Sequence, residues 1–248
     1  MSGLRVLKRD GNLEEVDFGK VTNRIRFLCH GVLKDGTVIG DALKISYGEI
    51  ARNVISTITD GVSTRELDEY AAQFCAGRID ESYEYSMLAG RIAISNHQKN
   101  TLGSFADTVK LLYENCDPQG NRKPLLRKSF VKTVMTHRDQ IEEMIDYSRD
   151  YRIDDLGYKT LNASFFLRRQ VTPTMTVCER PQHMYMRVAI ALHSNDDPHQ
   201  ADLAKIKETY DLLSLGFLSH ASPTMYNAGT TTEQLSSCFL LGIKDSMD

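Results

Sequence analysis

A chain of 248 residues, 41% hydrophobic and 25% charged, has the material for one large or two ordinary domains with ample core. A net charge of −3 without clustered Lys/Arg stripes argues against a nucleic-acid surface, the apolar runs are far too short to cross a bilayer, and the N-terminus lacks a secretory signal core. Cys29, Cys75, Cys116, Cys178 and Cys238 are scattered, odd in number and never spaced as CxxC, which points to a reducing, cytoplasmic setting and away from a structural zinc or a disulfide framework.

The chain opens on a β-hairpin. Leu4, Val6 and Val16 flank Asp10-Gly11, a dipeptide that accepts the positive φ of a type I′ turn. Phe18, Val21, Ile25 and Leu28 then recur at helical spacing. A second helix is read from Ile50, Val54 and Ile58, supported by Ala51 and Ile55, with Gly61 ending it as a C′ glycine. Ser63 and Glu66 have capping-box spacing at the head of a third helix that continues through Leu67, Ala71, Phe74 and Arg78. A fourth carries Tyr85, Leu88, Ala89, Ile92 and Ala93 and runs to about Lys99. The first hundred residues therefore read as a hairpin-capped four-helix unit.

Asn115-Cys116-Asp117-Pro118-Gln119-Gly120-Asn121 breaks the pattern. From about 125 to 220 the chain is again mostly helical. Met184, Val188 and Leu192 mark one helix and Leu203, Ile206, Tyr210 and Leu213 another, with a loop at 195–199 between them. After the turn-rich stretch 222–229, Leu235-Ser236-Ser237-Cys238-Phe239-Leu240-Leu241 reads as an apolar strand. The fold class expected is mainly α, in three parts: 1–100, 101–220 and 221–248.

Lys8 and Arg9 put two cations at the hairpin turn, and Lys20 adds a third on the first helical turn. A charged, solvated turn would account for the pair alone. Thr64, near a helix N-terminus, offers a hydroxyl and amides where a phosphate is favourably placed. Asp68, one turn on, can accept from a ribose or base, and Lys99 closes the fourth helix. No Walker loop or dinucleotide fingerprint is present. Cys238, on an aliphatic strand beside hydroxyls, is a candidate redox or radical thiol that needs a second thiol; a small buried hydrophobe is the alternative. The other four cysteines are read as structural or incidental. His183, His193, His199 and His220 show no metal-ligand spacing, and Ser222 beside His220 has no nucleophile elbow around it.

The order of Lys8-Arg9-Asp10-Gly11, the turn Gly61-Val62-Ser63-Thr64-Arg65-Glu66-Leu67-Asp68, and Ala89-Gly90-Arg91-Ile92-Ala93-Ile94-Ser95-Asn96 resembles the ATP cone of ribonucleotide reductase large subunits. Leu156-Gly157-Tyr158-Lys159-Thr160-Leu161, the run 179–188, the run 219–230 and the run 234–241 likewise resemble the class I ribonucleoside-diphosphate reductase large chain. This chain has Asp17-Phe18-Gly19-Lys20 where the family usually has Phe-Asp at that helix start.

The resemblance implies an ATP cone, a helical domain, and the first strand of a ten-stranded α/β barrel, the front of a larger enzyme or one half of a split one. It implies ATP and dATP as allosteric effectors, contacted by Lys8, Arg9, Glu14, Glu15, Val16, Asp17, Phe18, Gly19, Lys20, Thr64, Asp68 and Lys99. A thiyl radical would take the ribose 3′ hydrogen, and Cys238 would be one of two thiols that supply electrons and end as a disulfide. Ser222 and Ser237 would contact substrate, and Asp245, Ser246 and Met247 would begin the specificity-effector loop. Implied partners are a small subunit holding the radical metal, a second copy of the chain in a dimer or higher oligomer, and thioredoxin or glutaredoxin. No metal is expected in this chain. The alternative is a nucleotide-sensing or assembly module without catalysis.

Overall fold

A computed structural model of the chain describes residues 4–171 and 174–242. The first elements are β1 (Arg5–Leu7), β2 (Leu13–Glu15), α1 (Phe18–His30), α2 (Tyr47–Ser56), β3 (Val62–Ser63), α3 (Thr64–Ala76) and α4 (Tyr83–Asn100). α5 (Phe105–Tyr113), α6 (Lys128–Thr136), α7 (Arg138–Met144), a 3₁₀ turn (Tyr147–Arg152) and α8 (Asp155–Ser164) follow. The remainder is β4 (Arg168–Val171), β5 (Thr174–Val177), α9 (Pro181–His193), a 3₁₀ turn (Pro198–Gln200), α10 (Leu203–Ser214) and α11 (Ser222–Asn227). These form two compact units. One takes the residues up to Gly103 with Asp146–Ala163; the other takes Ser104–Ile145 with the residues from Ser164 on.

In the first unit β1 and β2 pair antiparallel, Arg5 opposite Glu15 and Leu7 opposite Leu13. Their turn is not the expected type I′, which needs positive φ at both Asp10 and Gly11; among the described residues only glycines have positive φ. The Asp10 carboxylate accepts from Asn12 N at 3.0 Å and Asn12 Nδ2 at 2.9 Å, and Lys8 N donates to Asn12 O at 2.8 Å. That bonding closes a three-residue loop in which Gly11 alone, at φ +87°, is left-handed. β3 adds parallel to β1, with Val6 opposite Val62. Two residues are too few to show a period.

Asp17 caps α1 by accepting from Lys20 N at 3.1 Å, so the carboxylate preceding Phe18 has a structural task here. α2 starts at Tyr47 and stops at Ser56, short of Gly61. Thr57 ends it, its hydroxyl bonded to Val54 O at 2.8 Å, while Gly61, at φ +83°, turns the chain into β3 and donates to Arg5 O. The capping box of α3 forms as read: Glu66 N donates to Ser63 Oγ at 3.1 Å and Ser63 N to Glu66 Oε2 at 2.9 Å. α3 ends at Ala76 rather than reaching Arg78, which turns back to Glu49 at 2.5 Å and Glu81 at 2.6 Å.

α4 is the central helix of this unit, buried on several faces, with Leu88, Ala89, Ile92 and Ile94 in its core. Against it pack Ile25 and Leu28 of α1, Ile50 and Val54 of α2, and Leu67 and Ala71 of α3. Gly90 permits a backbone approach: a Cβ there would lie 2.4 Å from Ile153 O.

In the second unit α9 is central, with Met184, Met186, Val188, Ala189 and Ile190 buried. Phe105, Val109, Phe130, Val134, Ile206 and Tyr210 share a core with it. Arg187 is also fully buried, forked on Glu179 at 2.5 and 3.0 Å, and donates to Ala228 O at 2.8 Å and Met225 O at 3.1 Å. The β4–β5 hairpin, with Arg168 opposite Val177, is an element absent from the sequence expectations, which have only helix over this stretch. The strand expected at 235–241 is not formed, and Phe239, Leu240 and Leu241 are exposed. A strand needs a ladder partner, and no described residue supplies one.

Candidate functional site

The first unit contains a cavity of about 410 Å³. Its floor is apolar: Val21, Ile25 and Leu28 from α1, Val54 from α2, Leu67 and Ala71 from α3, and Ile92 from α4. Its rim is charged. Lys8, Arg9 and Asp10 come from the hairpin turn, Lys20 and Arg24 from α1, Thr64 and Asp68 from α3, and Lys99 from α4. Five cations therefore face two carboxylates, an excess that suits a polyanion. The apolar floor suits a flat, weakly polar group.

Asp68 organises the rim. It is buried, and its Oδ1 and Oδ2 accept from Arg24 Nε at 2.5 Å and Nη2 at 2.8 Å. Arg9 Nη2 approaches Oδ2 at 3.2 Å. Arg9 also donates to Asn96 Oδ1 at 2.5 Å and Asn100 Oδ1 at 3.3 Å, and reaches Thr64 Oγ1 at 3.5 Å. Arg24 Nη2 continues to Ser95 Oγ at 3.3 Å. Glu14 of β2 pairs with Lys8 at 3.3 Å and Lys20 at 3.8 Å.

The Lys99 ammonium has no hydrogen bond or ion pair among the described residues. Its residue is exposed as a whole, yet its side chain lines the cavity. Desolvation and the charges of Arg24, Arg9 and Lys8 push its ammonium down to about 8, against the opposing pull of Asp68. An unpaired cation held below its ordinary range is a ready binding point for phosphate.

Of the residues singled out from sequence, Lys8, Arg9, Lys20, Thr64, Asp68 and Lys99 converge on this cavity. Glu14 joins them through its ion pairs. Glu15, Val16, Asp17, Phe18 and Gly19 do not line it. Glu15 faces Arg5 across the hairpin, Val16 packs on the core, Asp17 caps α1, and Phe18 is exposed. Arg24, Ser95, Asn96 and Asn100 are polar members of the network that sequence reasoning misses. Arg24 is within its reach, since it stands four residues after Lys20 on one helix face.

In the second unit Ser222 is exposed at the start of α11. Thr224 Oγ1 donates to Leu235 O at 3.0 Å and Asn227 Nδ2 to Gln234 O at 2.8 Å, which ties the segment leading to Ser237 and Cys238 against that helix. Cys238 is exposed, 3.7 Å from Ser237 Oγ, so the buried-hydrophobe alternative does not describe it. Asp245, Ser246 and Met247 lie outside the described residues. Among the described residues, no group of three His, Cys, Asp or Glu could hold a metal ion, and no helix is long and apolar enough to cross a membrane.

Comparison with known families matches residues 4–100 to the ATP cone domain and residues 151–233 to the ribonucleotide reductase all-alpha domain. The ribonucleoside-diphosphate reductase large subunit of Dictyostelium discoideum is 42% identical over 249 residues, covering 100% of this chain and 27% of that protein. The Danio rerio large subunit is 39% identical, covering 98% and 28%, and the Schizosaccharomyces pombe large chain is 39% identical, covering 97% and 28%. The chain thus spans about a quarter of the length of these relatives and corresponds to their N-terminal part. The cavity lies wholly within the residues matched to the ATP cone. With an ATP cone followed by the reductase's all-alpha domain, the chain belongs to the ribonucleoside-diphosphate reductase large-subunit family.

Proposed function

We propose that the cavity of the first unit binds ATP or dATP as an allosteric effector, and that the chain is the regulatory front of an enzyme reducing ribonucleoside diphosphates to 2′-deoxyribonucleoside diphosphates. The observation that carries this reading is the pairing of an apolar floor with a cation-rich rim inside the ATP-cone residues. Lys8, Arg9, Lys20 and Lys99 hold the phosphates, Thr64 adds a hydroxyl at the head of α3, and Asp68 faces the ribose or base. Glu14 orients the two lysines that it pairs with. Glu15, Val16, Asp17, Phe18 and Gly19 shape the hairpin exit and the helix start that present Lys20.

The cone is taken as 1–100, the helical domain as 101–220 and the start of the catalytic barrel as 221–248. In the assembled enzyme Cys238 is one of the two thiols that become a disulfide as substrate is reduced. Ser222 and Ser237 contact substrate, and Asp245, Ser246 and Met247 begin the specificity-effector loop. The partners are a metal-containing small subunit, a second copy of this chain, and thioredoxin or glutaredoxin, in the cytoplasm. Calorimetric titration of the chain with ATP and dATP tests the first part. Binding weakened by Lys8→Ala and Thr64→Ala is expected; absence of binding by both nucleotides removes the assignment. Thiol mapping of the complete enzyme before and after one turnover tests the second, and a Cys238 that stays reduced contradicts it.

A further inference from the structure

We propose that Arg24 is a positioning residue of the nucleotide site: its guanidinium divides the Asp68 carboxylate with Arg9 and so holds Arg9 where a nucleotide meets it. The inference rests on the nucleotide reading above and deepens it. Arg24 belongs to α1, Asp68 to α3 and Arg9 to the hairpin turn, so three separate elements meet at one carboxylate.

A carboxylate offers about four lone-pair directions. Arg24 takes one on each oxygen, and Arg9 takes a second on Oδ2. Arg9 is thereby limited to a single contact with Asp68. Its other N–H groups are left to Asn96 and Asn100 of α4 and to Thr64 of α3.

A guanidinium beside an unshared carboxylate prefers the two-bond fork. Without Arg24, Asp68 turns to fork Arg9, which draws Arg9 off Asn96 and Asn100 and neutralises it. Arg9 sits on a turn, the least constrained element of the site, so its aim depends on these side-chain anchors. Arg24 also sets the field at Lys99. After desolvation it is the first of the charges that lower that ammonium, ahead of Arg9 and Lys8, with Asp68 opposing.

The test is calorimetric ATP binding by the chain and its Arg24→Met, Arg24→Lys, Asp68→Asn and Arg24→Met/Asp68→Asn variants, with melting curves to establish folding. Arg24→Met is expected to weaken ATP about tenfold or more, the size of a lost charge-assisted fork. Arg24→Lys keeps the charge but cannot fork, and is expected to lose at least about half of that effect on a logarithmic scale. Asp68→Asn is expected to cost less in the Arg24→Met background than alone, because the two act as a unit. In Arg24→Met the Lys99 inflection in the pH profile of binding moves upward from about 8.

ATP affinity within about twofold of the parent in Arg24→Met overturns the assignment. So does parental affinity in Arg24→Lys, which would leave only a charge effect, or additivity in the cycle, which would leave only an interhelical tie. Where Arg24→Met fails to fold, Arg24→Lys decides. Failure of the parent chain to bind ATP instead removes the nucleotide reading itself, which keeps the two failures distinct.

Discussion

Lys99 gives the most direct handle on the proposed nucleotide site. Desolvation and the neighbouring cations hold its ammonium at about 8, against an ordinary 10.5. At pH 7 it is about nine-tenths charged and at pH 9 about one-tenth. A bound phosphate supplies the missing anion and restores the ordinary value. Below pH 8, Lys99 is charged with and without nucleotide, and affinity is nearly flat. Between 8 and 10.5 binding takes up a proton, so affinity falls as pH rises. Full restoration gives about a tenfold loss from pH 7 to pH 9, and solvent screening of this exposed residue reduces that to about threefold. Titration calorimetry at pH 8 in buffers of different ionisation enthalpy should show uptake of up to about half a proton per ATP, abolished by Lys99→Met. A parent chain with no uptake, or a Lys99→Met variant with the parental pH slope, refutes the reasoning. In the absence of nucleotide, the unfolded chain binds the proton more tightly than the folded one. The Lys99 contribution to stability therefore rises with pH between 8 and 10.5.

Glu179→Gln leaves Arg187 charged in the core of the second unit, and should cost about 3–5 kcal/mol in chemical denaturation; a midpoint close to the parent's contradicts the buried pair. Gly90→Ala would ordinarily favour a helix by up to about 1 kcal/mol, but its Cβ would meet Ile153 O at 2.4 Å. A net loss of about 1–3 kcal/mol is expected in thermal melts, and a rise in Tm would show that contact to be absent. Iodoacetamide labelling resolved by mass spectrometry should mark exposed Cys116 and Cys238 and spare Cys29, Cys75 and Cys178. Burial raises those three thiols, Cys75 to about 12, and rapid labelling of native Cys75 would count against its place in the core.

Elements with a strong local signal are legible in the sequence. The 3.6-residue spacing of Val21, Ile25 and Leu28, with Phe18 left exposed at the helix start, and the reciprocal pair Ser63 and Glu66 carry their own hydrogen bonding and burial logic within one or two turns. Six cavity residues are legible too, through motif order rather than periodicity. The end of α2, the β3 strand and the β4–β5 hairpin are not. Thr57 ends α2 by bonding back to Val54 O, a competition that the apolar spacing through Ile58 does not reveal, and β3 is two residues long and has meaning only beside β1. Of the hairpin strands, four residues each and largely exposed, Thr174-Met175-Thr176-Val177 does alternate, but Arg168-Arg169-Gln170-Val171 carries no apolar alternation to mark a partner for it.

The apolar stretch around Cys238 shows the converse. Its residues favour a strand, but without a ladder partner that preference goes unexpressed. What the sequence determined alone was the helical layout of the first hundred residues, the resemblance to the reductase family and most of the cavity's cations. What only the tertiary structure decided was how those cations are shared. Asp68 divides between Arg24 and Arg9, while Lys99 makes no ion pair among the described residues, because charge pairing depends on distances in space that spacing along the chain does not encode.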